Sequence, residues 1–453
     1  MNVKILVIGL GPYSVFTHLK NLLSDKIKPI AIVELESRAA GAKIILQTLN
    51  LSDVEIITVP DTGRDALSLD VKLTQKFDHM IQNKEISHVL ISTEPKAHYS
   101  YLSYFLRQRI PIFCDKPILA LKGFSTDLKV TRKSREQYEE LKKLSQDLAV
   151  PVYINMKRRS HAGYRFIRDL VENISLTYRL APTSLEVSAS DGMWNFPNEF
   201  LSRENHPYKY GYGKLLHSGY HFVDLISFLI EKPLQQIHGH KIFIDAKSFG
   251  VRPNDFMETL NAQFYEQFFQ GYDFQNDIQE AQKITSYGEL DIFSNLRIMN
   301  AHKVPVTHVS LNLMNTSFSR RSWQHLPFDT YKANGRVRHE RMSLTIGPLF
   351  NIQFHEYGTL EPDDRGGPYP VSEILVFRNT ALIGGDAFQR IPTKDLEGAS
   401  EKTEEQIALK EFIHLKPSSS MIWDHQWSQE LLFKIGESLV IDEQEQINKA
   451  SLS

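Results

Sequence analysis

The first residues whose types and spacing can do chemistry are a pair of glycines. Gly9-Leu10-Gly11 follows the β-branched run Val3-Lys4-Ile5-Leu6-Val7-Ile8, and Pro12, Tyr13 and Ser14 then open a stretch whose apolar residues (Val15, Phe16, Leu19, Leu22, Leu23) recur at helical spacing. A second apolar run, Pro29 to Val33, ends at Glu34. Strand, glycine turn, helix, strand and acid in this order form the context of a dinucleotide fingerprint. Gly9 permits the tight turn, and the bare Gly11 lets a pyrophosphate approach the backbone at the positive end of the following helix. Ser14 stands at the third glycine position and is small enough for close helix–strand packing. Glu34 lies about 20 residues on, where a carboxylate accepts from ribose hydroxyls and repels a 2′-phosphate. The expected cofactor is therefore NAD, with NADP left open by Arg38 nearby.

Two more segments follow strand-like runs. Thr93-Glu94-Pro95-Lys96-Ala97-His98 comes after His88 to Ser92, and Asp115-Lys116-Pro117 after Pro111 to Cys114. In open α/β sheets ligands bind at the carboxyl ends of strands, so Thr93, Pro95, His98 and Lys116 are expected beside the cofactor. His98 has a plainer alternative as a helix-packing residue, and Lys116 as a simple partner of Asp115. Farther on, His217, His221 and Asp224 fall at i, i+4 and i+7, which on an α-helix is one face. A pair of histidines at i, i+4 can bind zinc, but Ser218 stands where a metalloprotease helix carries glutamate, and no metal is expected.

The elements around these residues alternate strand and helix from Val3 to Met156, which predicts a doubly wound parallel sheet over residues 1–155. From 156 to 453 the pattern changes. Val309, Leu311 and Leu313 alternate with His308, Ser310 and Asn312, and Ile352 and Phe354 with Gln353 and His355, as in antiparallel sheet covered on one face. The fold class is thus α/β, a Rossmann domain followed by an α+β domain with a large, mostly antiparallel open sheet. Glu361 to Pro370 and Pro392 to Gln406 read as loops, and Phe269 to Gly288 carries no clear pattern.

Composition sets outer bounds. The 453 residues are 42% hydrophobic and 23% charged with a net charge of -2, so no field favours nucleic acid or an anionic membrane. A single cysteine, Cys114, rules out an internal disulfide framework. With no signal-peptide pattern and no run of about 20 apolar residues, a cytoplasmic protein is expected.

The glycine turn, Pro95-x-x-His98, Asp115-Lys116-Pro117 and the segment Gly213-Lys214-Leu215-Leu216-His217-Ser218-Gly219-Tyr220-His221-Phe222-Val223-Asp224-Leu225 together resemble the Gfo/Idh/MocA family of oxidoreductases. The resemblance runs from residue 1 to about 230. It implies that Lys116 lies by the nicotinamide and contacts the substrate oxygen, and that His221 takes the proton from the substrate hydroxyl. Relatives usually carry Glu-Lys-Pro where this chain has Asp115-Lys116-Pro117. Many also have an aspartate where this chain has His217, and that departure bears directly on how His221 is oriented and charged. The resemblance further implies an arginine near the Lys157-Arg158-Arg159 run and a homodimer or homotetramer built on the open sheet.

The expected activity is NAD-dependent oxidation or reduction at a secondary alcohol or ketone of a sugar, polyol, nucleotide sugar or related small molecule. A transient-NAD glycosidase of the same family and a non-catalytic NAD-binding sensor or scaffold are the alternatives. Trp194, Tyr208, Tyr210 and Tyr212 are candidates for stacking on a sugar, with plain packing the commoner role. Arg336, Arg338 and Arg341 are candidates for an anionic group, against ordinary exposed strand charges.

Overall fold

The computed structural model describes residues 3–63, 67–83, 85–269, 273–319, 337–358, 371–397 and 404–450. Glu361 to Pro370, Arg336 and part of Pro392 to Gln406 lie outside them. The chain forms two compact units, and they interleave. The first takes residues 1–121, 133–161 and 401–426, and the second takes 122–132, 162–400 and 427–453. Against the single boundary at 155/156 expected from the sequence, the chain passes between units several times.

The first unit is built on strands β1 (Ile5–Ile8), β2 (Ala31–Leu35), β3 (Glu55–Val59), β4 (His88–Ile91), β5 (Ile112–Asp115) and β6 (Val152–Asn155), in the order β3-β2-β1-β4-β5-β6 with every pairing parallel. β1, β4 and β6 are buried along their whole length, as continuous apolar strands covered on both faces must be. The crossover segments are largely the expected helices, among them Val71–Gln82 and His98–Arg107. Asp70 starts the first of these by accepting from the Lys72 and Leu73 N–H groups at 2.8 and 3.4 Å.

The last part of this unit comes from far along the chain. The helix Glu404–Ile413 contributes Ala408, Leu409, Phe412 and Ile413 to the same core as Leu10, Leu19, Phe113 and Tyr153. The Phe412 ring lies 5.1, 5.4 and 5.5 Å from those of His88, Phe113 and Tyr153. Beyond it, Ile154 N–H donates to the Ser420 carbonyl at 2.8 Å, and the Tyr138 hydroxyl to the Ile422 carbonyl at 2.8 Å. Arg159 donates to the carbonyls of Ser419 and Asp424, so at least one arginine of the 157–159 run is buried and holds this returning segment. Part of the stretch 156–453, read from the sequence as the second domain, therefore completes the first unit. Phe412→Ala should cost about 3–5 kcal/mol, the range for a fully buried aromatic, read as an earlier midpoint in urea denaturation.

The second unit contains an eight-stranded sheet of β7 (Ser184–Ser190), β8 (Phe243–Val251), β9 (Asp291–Met299), β10 (Pro305–Met314), β11 (Arg338–Ile346), β12 (Phe350–Gly358), β13 (Val371–Arg378) and β14 (Phe388–Pro392), ordered β14-β13-β12-β11-β7-β10-β9-β8. Every pairing is antiparallel except β7 with β10. The expected alternation holds: Val309, Leu311, Leu313, Ile352 and Phe354 are fully buried, while His308 and His355 face the other side. The helices Ala162–Tyr178 and Tyr220–His238 pack together in this unit. The unassigned stretch 269–288 contains the helix Phe274–Gln282, whose Phe274, Ile278 and Ala281 join Phe196, Phe200, Tyr265 and Tyr287 in an aromatic satellite core. No described helix is long and apolar enough to cross a membrane.

Candidate functional site

The glycine turn at the end of β1 is built for close approach. Gly9 has φ +91°, and a Cβ there would stand 2.6 Å from the Ser92 carbonyl oxygen, so the position requires glycine. A Cβ at Gly11 would meet nothing within 4 Å, which leaves the space a phosphate would use. Ser14 is fully buried with its Oγ unpartnered. The helix that follows is wound as a π-turn over Ser14–Leu19 before Lys20–Ser24 continues as α-helix. Such turns are concentrated at functional sites. Pro12 and Tyr13 are exposed at its start.

Glu34 is buried and aimed back at this turn. Its Oε2 accepts from Leu10 N–H at 2.8 Å and its Oε1 from Leu35 N–H at 2.9 Å. Each oxygen keeps a second lone pair for a ribose hydroxyl. Arg38 is exposed three residues beyond β2, and Ser37 N–H is held by Asp61 at 3.0 Å. Glu34→Ala should weaken NADH binding by about 10-fold or more, since hydrogen bonds to a charged group contribute about 1.5–3 kcal/mol. An NADH fluorescence titration checks this, and an unchanged affinity would refute the assigned role.

At the ends of β4, β5 and β6 the structure assembles a polar cluster. Asp115 Oδ1 lies 2.9 Å from His18 Nε2 and accepts from Asn155 Nδ2 at 2.7 Å, while Oδ2 accepts from Ser92 Oγ at 2.5 Å. Burial alone would raise the Asp115 carboxyl; the His18 charge and these three hydrogen bonds outweigh it and hold the carboxyl below its ordinary value. Asn155 also donates to the Tyr13 hydroxyl at 3.2 Å. The Asp115-Lys116 junction thus has several partners beyond a lysine–carboxylate pair. Lys116 is half-buried at the end of β5. Thr93 and Pro95 are half-buried past the end of β4.

His98 differs from expectation. It is fully buried, with Nδ1 3.1 and 3.3 Å from the Pro117 and Ile118 carbonyls and Nε2 3.1 Å from the Thr93 carbonyl. Its ring is committed to backbone, so its part is to hold the turn after β5 rather than to reach out to a cofactor. Burial pushes its pKa down, while the Asp115 charge and the three carbonyls act the other way. His18, Ser92 and Asn155 were not singled out from the sequence. A polar residue in each of three otherwise apolar stretches was the available signal, and only the strand order brings them together.

In the second unit the helix bearing the histidines begins at Gly213, where a Cβ would lie 2.1 Å from the Glu289 carbonyl oxygen. The buried Glu289 caps this start, Oε1 accepting from Leu215 N–H at 2.8 Å. Leu215–Gly219 is again a π-turn, followed by α-helix from Tyr220. His217 is buried, its ring 4.9, 5.1 and 5.7 Å from those of His206, Tyr208 and Tyr212, all edge-on. His221 is half-buried. Asp224 is buried and accepts from Ser428 Oγ at 2.6 Å. Lys214 is fully buried, Nζ donating to Asp191 at 2.6 Å and Asn315 at 3.2 Å.

Tyr208 and Tyr212 are buried against His217, and Trp194 lies in the satellite core with its Nε1 donating to the Tyr265 hydroxyl at 3.3 Å. Tyr210 donates to Glu204 at 2.9 Å. Arg338 lies 3.8 Å from Asp191, and Arg341 is an exposed strand charge.

Residues 3–138 match the model of the Gfo/Idh/MocA oxidoreductase family, NAD-binding Rossmann fold. Among solved structures, UDP-N-acetylglucosamine 3-dehydrogenase from Acidithiobacillus ferrooxidans is 11% identical at a TM-score of 0.56, with 97% of this chain and 98% of that one covered. Aldose-aldose oxidoreductase from Caulobacter crescentus is 10% identical at 0.57, with 98% of both chains covered. An oxidoreductase from Agrobacterium radiobacter, in complex with NAD+, L-tartaric acid and magnesium, is 11% identical at 0.52, with 97% and 96% covered. At such identities the likeness is one of fold. No curated protein sequence matches. The first unit is therefore an NAD-binding Rossmann domain of an oxidoreductase. Residues 3–138 are thus similar to the Gfo/Idh/MocA oxidoreductases, and the fold they form is an NAD-binding one.

Proposed function

We propose that this protein is a dehydrogenase that moves a hydride between NAD and a secondary alcohol or ketone of a sugar, polyol or nucleotide sugar. The observation that carries the reading is the end of β5, where Asp115 is tied through His18 to the helix that follows the glycine turn, with Lys116 next in the chain. Two of the similar folds are named for chemistry on sugars, which supports a carbohydrate-like substrate.

Gly9 and Gly11 would hold the pyrophosphate, the small buried Ser14 would let the helix pack close behind them, and Glu34 would hold the ribose. Bound NAD supplies the hydride acceptor. Lys116 donates a hydrogen bond to the substrate oxygen and stabilises the negative charge that grows there as hydride leaves. His221 takes the hydroxyl proton at a ring nitrogen, a role suited to an imidazole near neutral pH. His217, held among three rings, shapes the helix turn before His221 and supplies no carboxylate to it. A homodimer or homotetramer joined through the open face of the eight-stranded sheet accompanies this reading.

The test is a panel of polyols, aldoses and nucleotide sugars with NAD, following absorbance of the reduced nicotinamide, beside thermal unfolding with and without NADH. Stabilisation by NADH together with turnover on one member is the expected result. Stabilisation without turnover on any member would overturn the proposed chemistry.

A further inference from the structure

We propose that His18 and His98 are positioning residues that hold the chain on the two sides of Lys116, His18 through the Asp115 carboxylate and His98 through backbone carbonyls, and so set where its amine stands. The inference rests on the reading of Lys116 as the lysine beside the nicotinamide. Before Lys116, the carboxylate of Asp115 is fixed by His18, Ser92 and Asn155. After it, the carbonyls of Pro117 and Ile118 face one nitrogen of His98, and its other nitrogen faces the Thr93 carbonyl at the end of the neighbouring strand. Both imidazoles are essentially inaccessible, at 1% and 0% exposure, so neither can touch a ligand directly. They act on the chemistry through the residues they hold, Asp115, Pro117 and Ile118 beside Lys116 and Thr93 at the neighbouring strand end.

Each ring is placed to bridge rather than to fill. His18 lies within the π-turn that directly follows the glycine loop, so its bond to Asp115 couples the phosphate-binding segment to the lysine. His98 opens the helix after β4, so it couples that strand end to the same turn. A leucine would fill either space and sever the bridge. Lysine is the side chain most in need of such support, because its amine is a point charge on a flexible stem and only its Cα can be fixed by packing.

The experiment uses the full chain and a chemical reporter of Lys116, namely reductive labelling by pyridoxal 5′-phosphate quantified on the peptide that contains it. In the unaltered protein NADH should protect Lys116 from labelling. His18→Leu and His98→Leu should still bind NADH within about threefold, but should change the labelling rate about tenfold, the effect of one unit in an amine pKa. Turnover should fall about 100-fold with little change in the KM for NAD, as a misplacement of about 1 Å can cause. His18→Gln, which keeps an N–H donor towards Asp115, should recover part of both. If either leucine variant fails to fold, as thermal unfolding would show, Asp115→Asn removes the charge that His18 holds while keeping the shape, and the same shifts are expected.

Folded variants that label at the original rate and are still protected by NADH would overturn the positioning role alone. Absence of NADH protection in the unaltered protein would overturn the placement of Lys116, and with it this inference.

Discussion

Lys116→Ala should lower turnover about 100- to 1,000-fold, the usual loss when one preorganised electrostatic group is removed, while NADH binds within about threefold of the original affinity. The separation follows from where the residue stands. In the proposed function the cofactor's phosphates and adenosine ribose are met by the turn that follows β1 and by Glu34 of β2, whereas Lys116 follows β5, two strands away from β1 on the side opposite β2. Removing the amine therefore leaves the larger part of the binding surface in place and takes away only the charge at the reacting oxygen. Lys116→Arg is not a rescue in this scheme, because a planar fork presents its donors in a different place from a point charge. The measurement is steady-state turnover on the best substrate of the panel, paired with NADH titration. A variant that retains more than a tenth of the activity would remove Lys116 from the chemistry, and one that loses NADH binding as well would make it a cofactor residue.

The parts of this arrangement that were legible in the sequence are those written in short, contiguous patterns. The order strand, glycine turn, helix, strand, acid needs only about 30 neighbouring residues, and the alternation at 309–313 and 352–354 needs only five and three. What was not legible is long-range. His18 reads as one polar residue on an amphipathic helix; its meaning comes from Asp115, which lies almost a hundred residues on and becomes its neighbour only because β1 and β5 flank β4. The helix Glu404–Ile413 shows the same limit in the core. Its apolar positions announce burial, and nothing local says that they are buried against β5 and β6 of the first unit rather than within the second.

The winding of the histidine helix was also not legible, since spacing alone reads Leu215–Gly219 as plain α-helix and the structure makes it a π-turn. Gly219 marks the place: a Cβ there would come within 2.6 Å of the Lys214 carbonyl oxygen. A glycine inside an apparent helix was the available warning.

The two glycines of the fingerprint should respond in opposite ways to the same added methyl group. Gly9→Ala puts a Cβ within 2.9 Å of three backbone atoms of Ser92 and Thr93, and at φ +91° a side chain is strained whatever the space. Backbone strain of about 1–3 kcal/mol and overpacking of about 1–3 kcal/mol add, so a loss of roughly 3 kcal/mol or more is expected. Backbone cannot give way as a side-chain tip can, so the displacement passes to Ser92, whose hydroxyl holds Asp115, and from there towards Lys116. Gly9→Ala should thus lower the unfolding temperature of the ligand-free protein, NADH affinity and turnover together. Gly11→Ala meets no protein atom within 4 Å. Its ligand-free stability should stay within about 1 kcal/mol of the original, and can even rise as the unfolded chain loses freedom. NADH binding should nonetheless weaken at least about tenfold, or 1.4 kcal/mol, because the new methyl occupies the side from which the pyrophosphate approaches. Thermal unfolding with and without NADH reads both effects in one experiment: the stabilisation by NADH should shrink in Gly11→Ala while the ligand-free midpoint holds. Full stabilisation of that variant by NADH would mean that the pyrophosphate does not pass over Gly11, and the fingerprint would then be a turn shaped for packing alone.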